Sequence, residues 1–160
     1  MLVDFNTLPE DSRIWIYQSS RKLSDIEVQE IEQALTAFLQ QWATHGHDLH
    51  ASYVIKYNRF IIIAINQEIQ NVSGCSIDAS VTFIQKLEKK YGIDLLDKMN
   101  VTFKLGEHIA YKPLIEFKQM AKQKAVSENT IVFNNLLNTI GEWQDFWEVP
   151  AKDSWHSRFF

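Results

Sequence analysis

Ala51-Ser52-Tyr53-Val54-Ile55-Lys56-Tyr57-Asn58-Arg59-Phe60-Ile61-Ile62-Ile63-Ala64-Ile65 decides the fold. It reads as two strands, Ala51 to Tyr57 and Phe60 to Asn66, joined at Asn58-Arg59, because asparagine tolerates the positive φ of a tight hairpin. A two-residue loop places Tyr53, Ile55 and Tyr57 on one face with Phe60, Ile62 and Ala64, and Val54 on the other with Ile61, Ile63 and Ile65. Both faces are apolar, so Phe60 to Ile65 is expected at the centre of a sheet covered on both sides.

Upstream, Arg13-Ile14-Trp15-Ile16-Tyr17 is a short β-rich run. Ser24-Asp25-Ile26-Glu27 follows as a capping box, opening a helix whose apolar residues Val28, Ile31, Leu35, Phe38, Leu39 and Trp42 recur at three and four. Gly46 is the expected left-handed end of that helix. Downstream, Ile77, Val81, Ile84, Leu87 and Tyr91 mark a second helix that starts near Ser76 and stops at Gly92, with Ser76 or Asp78 as its cap. Val101 to Leu105 then alternates as a half-exposed edge strand, its lysine suiting the edge. The order strand, helix, strand, strand, helix, strand predicts an α+β protein with a ferredoxin-like βαββαβ sheet and two helices on one face. Residues 109–160 read as a helical, aromatic-rich extension, with Pro113 before the stripe Leu114, Phe117, Met120 and a second stripe from Ile131 to Ile140. The expected organisation is one domain, 1–160, with the core in 1–108 and the extension or a second copy covering the open sheet face.

At 160 residues the chain can bury a real core without disulfide or metal. With 46% hydrophobic and 22% charged residues it is ordinarily globular, and a net charge of −4 speaks against general nucleic-acid affinity. Trp15 and Tyr17 invite a base-stacking reading, but Phe60 to Ile65 lacks the basic, glycine-containing pattern of an RNA-reading strand, so buried roles are expected. A single cysteine allows no internal disulfide and fits a reducing compartment, and no segment approaches a membrane span; a cytoplasmic protein is expected.

Cys75, the lone cysteine, lies in Gly74-Cys75-Ser76-Ile77-Asp78 between the third strand and the second helix. The dipole and unpaired N–H groups of a helix start favour a thiolate, which makes Cys75 the catalytic candidate, with His45, His47, His50 or His108 as its base if the loops at that end of the sheet converge. Cys75, Ser76 and Asp78 are the candidate ligand-binding set. The competing reading is a half-buried packing cysteine next to the cap. Histidines 45, 47 and 50 with Asp48 invite a metal, yet their spacing matches no metal motif, and no metal or cofactor is expected. Two readings of function follow: a non-catalytic module that binds a partner or small ligand, with a homodimer through the sheet face or aromatic tail, and a thiol-dependent enzyme or redox sensor.

Ile55 to Ile65, Ser73 to Asp78 and Ser154-Trp155-His156 together resemble a small bacterial family labelled "ABC transporter ATPase", over the full length. The five glycines, Gly46, Gly74, Gly92, Gly106 and Gly141, are too far apart for a phosphate-cradling loop, and Ser73-Gly74-Cys75-Ser76 is not the ABC signature. The resemblance therefore implies no nucleotide chemistry and supplies no functional residues.

Overall fold

A computed structural model describes residues 1–68 and 71–160 and is of mixed α+β class. The chain divides into two compact units, Met1–Leu96 with Asn138–Gly141, and Asp97–Leu137 with Glu142–Phe160. Among the described residues no helix is long and apolar enough to cross a membrane.

The first unit runs β1 (Arg13–Gln18), α1 (Asp25–Gln41), β2 (Ala43–Thr44), β3 (His47–Asp48), β4 (Ala51–Lys56), β5 (Phe60–Ile65) and α2 (Gly74–Tyr91). Its main sheet is antiparallel in the order β1-β5-β4. All six β5 residues are buried, as their two-sided apolarity required. Ile61, Ile63 and Ile65 pack with Leu35 and Leu39 of α1 and Ile84 and Leu87 of α2. Each buried side chain of this size contributes about 1.5–3 kcal/mol by leaving water. Phe60, Ile62 and Ala64, on the opposite face, are buried as well.

The hairpin differs from expectation by one residue. Tyr57 and Asn58 both have positive φ (57° and 50°), the Arg59 N–H donates to the Lys56 carbonyl at 3.0 Å, and the register pairs Lys56 with Phe60. Arg59 is thus the extra residue of a three-residue loop. Because strand faces alternate, this exchanges the two faces of β4: Tyr53 and Ile55 lie opposite Ile63 and Ile61, on the helix side, and Val54 lies opposite Ile62. The loop is tied down by Asn58, whose Nδ2 donates to the Leu23 carbonyl and to Asp25.

The capping box at Ser24 forms in both directions, with Glu27 N–H donating to Ser24 Oγ and Ser24 N–H to the Glu27 carboxylate. The helix it opens ends at Gln41, ahead of Gly46, because Trp42 is already extended and leads straight into β2. Gly46 (φ 78°) and His45 (φ 49°) instead form the turn of the small β2–β3 hairpin. At α2 the cap is Ser73, in place of Ser76 or Asp78, and Gly92 closes the helix in the left-handed region.

Three of the four strands expected of a ferredoxin-like sheet are present in their expected order, and the fourth is elsewhere. Beside β1, where it would pair, the chain makes an antiparallel bridge from Arg13 to Thr139, with Ile14 N–H donating to Asn138 O and Ile140 N–H to Ser12 O. The run Val101 to Leu105 belongs to β6 (Asn100–Leu105) of the second unit. There it is an interior strand, between β7 (His108–Pro113) and β8 (Ile131–Phe133), in a four-stranded sheet completed by β9 (Glu148–Pro150). Lys104, read as an edge lysine, forms an ion pair with Glu148 across the sheet.

The region after 108 is therefore mixed rather than purely helical. Helix α3 (Leu114–Lys122) follows Pro113 as expected, and Phe117 packs edge-on against Phe103 with centroids 5.0 Å apart. The expected helical stripe at Ile131 is strand β8; helix resumes only at α4 (Ile140–Phe146). The aromatic tail folds back within this unit, Trp155 and Phe159 joining the cluster around Phe117.

Candidate functional site

Ser73, Cys75 and Ser76 form the start of α2. Ser73 Oγ accepts the Ser76 N–H at 3.2 Å, Ser76 Oγ donates to the Ala43 carbonyl at 2.6 Å, and Trp42 Nε1 donates to the Ser76 carbonyl at 3.0 Å. These bonds fasten the first turn of α2 to the β2–β3 hairpin. Ser76, buried and fully engaged, holds two elements together. Cys75, by contrast, is exposed, which removes the reading of a half-buried packing cysteine. Asp78 is exposed one turn further on.

His45 and His47 are exposed on the hairpin, and His50 is half-buried just before β4. Among the described residues no hydrogen bond joins Cys75 to a histidine, and no group of three His, Cys, Asp or Glu side chains converges as a metal centre. His108 opens β7 in the second unit. Its expected place at the Cys75 end required the strand before it to lie in the first sheet, and β6 and β7 are not in that sheet.

A second polar cluster, which the sequence did not single out as chemical, lies in the second unit. Ser154 Oγ is 2.7 Å from His156 Nδ1 and accepts the His156 main-chain N–H at 3.1 Å. The imidazole is 1% exposed and stacks on Trp155 at 3.9 Å. Burial, reinforced by the Arg158 charge, pushes its pKa down to about 4. A neutral, enclosed ring whose serine partner caps the Trp155–Phe159 turn is built for structure.

One concave surface of the first unit is a groove of about 590 Å³ between α1 and β4. Gln29, Glu32, Gln33, Thr36 and Gln40, one stripe of α1, form one wall, and Tyr53 stands opposite. At one end Gln40 Oε1 accepts the Leu2 N–H at 2.9 Å. The wall offers amides, a hydroxyl and one carboxylate, with no nucleophile beside a base. Its one trace in the sequence is the charge of α1, which contains Asp25, Glu27, Glu30 and Glu32 and no lysine or arginine.

No family model matches the chain, and no curated protein or solved structure matches it significantly.

Proposed function

We propose that this protein is a non-catalytic binding module. The observation that carries the reading is the α1–β4 groove, whose walls present hydrogen-bonding and carboxylate groups without a catalytic pair. The arrangement around Cys75 supports it as well, since the two serines flanking the thiol are committed to holding α2 on its hairpin. The β-α-β-β order of the first unit corresponds to three strands of a ferredoxin-like sheet, with the remaining position beside β1 taken by residues 138–140. Such a sheet is a scaffold on which many binding functions are grafted. A single cysteine and acidic composition accord with a cytoplasmic setting.

The competing thiol-enzyme reading is tested by alkylation of the native protein with iodoacetamide. Replacing His45, His47, His50 or His108 by glutamine is expected to change the Cys75 rate at pH 7 by less than about twofold. A drop of about tenfold or more on removing one histidine identifies a thiol–imidazole pair and replaces the binding module with an enzyme.

A further inference from the structure

We infer that the outer edge of β4, with Glu32 of α1 beside it, receives an extended basic segment of a partner protein, which adds to the sheet as a further strand alongside Tyr53 and Ile55. The inference rests on the binding-module reading and names the partner that module takes.

Main-chain directions establish the edge. Ala51 N–H donates to the Met1 carbonyl at 3.1 Å and Ala51 O accepts the Val3 N–H at 2.9 Å, so the polar groups of Ala51 point away from β5. On the other side of the alternation, the Asn66 N–H donates to His50 O at 2.9 Å, toward β5. Every second residue repeats the Ala51 direction, so the N–H and C=O groups of Tyr53 and Ile55 also point outward. Among the described residues they have no main-chain partner beyond the strand. Donors and acceptors alternating at two-residue intervals along a line are matched by one kind of group, an extended peptide main chain. The chain itself uses the edge in this way: Leu2 forms a parallel bridge to Ala51, and pairing stops where Asp4 starts the turn Phe5–Thr7.

Charge selects the side chains of the incoming strand. Of the four acids on α1, Asp25 accepts from Asn58, Glu27 is paired with Arg21 and Glu30 accepts from the Tyr91 hydroxyl. Glu32 lines the groove with no ion-pair partner among the described residues. No lysine or arginine lines the groove. A lysine or arginine on the added strand is the complement that this wall lacks.

The test uses the full chain labelled for NMR. In the free protein the Tyr53 and Ile55 amides should exchange with solvent about 100-fold faster than those of Ser52 and Val54, which bond to β5. A capped seven-residue peptide of alternating lysine and valine should then shift the Tyr53 and Ile55 amides saturably, and its glutamate–valine analogue should bind at least about tenfold more weakly. Glu32→Lys, on an exposed helix face, should weaken the lysine peptide by about tenfold with the fold intact. Ile55→Pro, which deletes one outward N–H and leaves the bonds to β5, should weaken it while the Ser52 and Val54 amides stay protected. Protected Tyr53 and Ile55 amides at every protein concentration would show the edge covered by the chain itself. Protection that grows with concentration would give the edge to a second copy. Either result overturns the inference, as does the absence of a saturable edge shift up to about 5 mM lysine peptide, or equal binding of the acidic analogue. Each of these leaves the alkylation test of the binding-module reading untouched.

Discussion

His156 carries the clearest consequence at the scale of one residue. Its folded-state pKa lies at about 4, against an ordinary value of 6.5, because burial disfavours the charged ring. The unfolded chain therefore binds the proton more readily, so the stability this residue lends is complete above pH 6.5 and is lost as pH falls toward about 4. The loss is on the order of 3 kcal/mol. Urea unfolding of wild type and His156→Asn at intervals between pH 4 and 8 checks this: the difference in stability between the two should shrink by about that amount on acidification, the carboxylates common to both cancelling. A pH-independent difference would mean that the ring is protonated in the folded protein without penalty. The Ser154–Trp155–His156 triplet thus earns its place by packing, which no spacing rule announces.

At the scale of elements, the cap of α2 is a correction that substitution can verify. Ser73→Ala should cost about 1 kcal/mol, as loss of a helix N-cap does. Ser76→Ala should cost about 1–3 kcal/mol, because it also strands the Ala43 carbonyl against a buried neighbour. Asp78→Ala should stay within about 0.5 kcal/mol. Thermal unfolding of the three variants ranks them, and a larger effect at Asp78 than at Ser73 would move the helix start. Helices α1 and α2 were legible because a capping box and a 3.6-residue repeat are local signals. The strands were legible as strands, but their partners were not. Val101 to Leu105 alternates equally well in either sheet, and only the arrival of residues 138–140 beside β1 decides that it goes elsewhere. Ile131 to Phe133 is too short for periodicity to separate strand from helix. The hairpin faces turned on whether Tyr57 adopts the left-handed region, which tyrosine seldom does. The site was read in the same partial way: the start of α2 could be located around Cys75, whereas the β4 edge could not, since which strand ends a sheet is a property of the assembled chain.

On the scale of the whole molecule, the chain leaves the first unit after Leu96 and re-enters it for Asn138–Gly141 alone. Those few residues supply the bonds from Ile14 to Asn138, from Ile140 to Ser12 and from Gly141 to Glu10. A fragment of residues 1–96 keeps the β1-β5-β4 sheet but bares the edge of β1, an apolar strand that invites pairing with its like. Sedimentation velocity should show this fragment self-associating at concentrations where the full chain does not, and a fragment that stays monomeric up to about 100 μM would make the returning segment dispensable. The same threading has a temporal side. As the chain is synthesised, everything needed for α1, α2 and the three-stranded sheet emerges before the segment that closes β1. Elongation through Asp97–Leu137 takes roughly 2–8 s at ordinary ribosomal speed, longer than most small domains need to fold. For that interval each nascent chain on a polysome holds out an unfinished strand to its neighbours, so the order of translation sets a window for misassembly that the completed protein no longer shows.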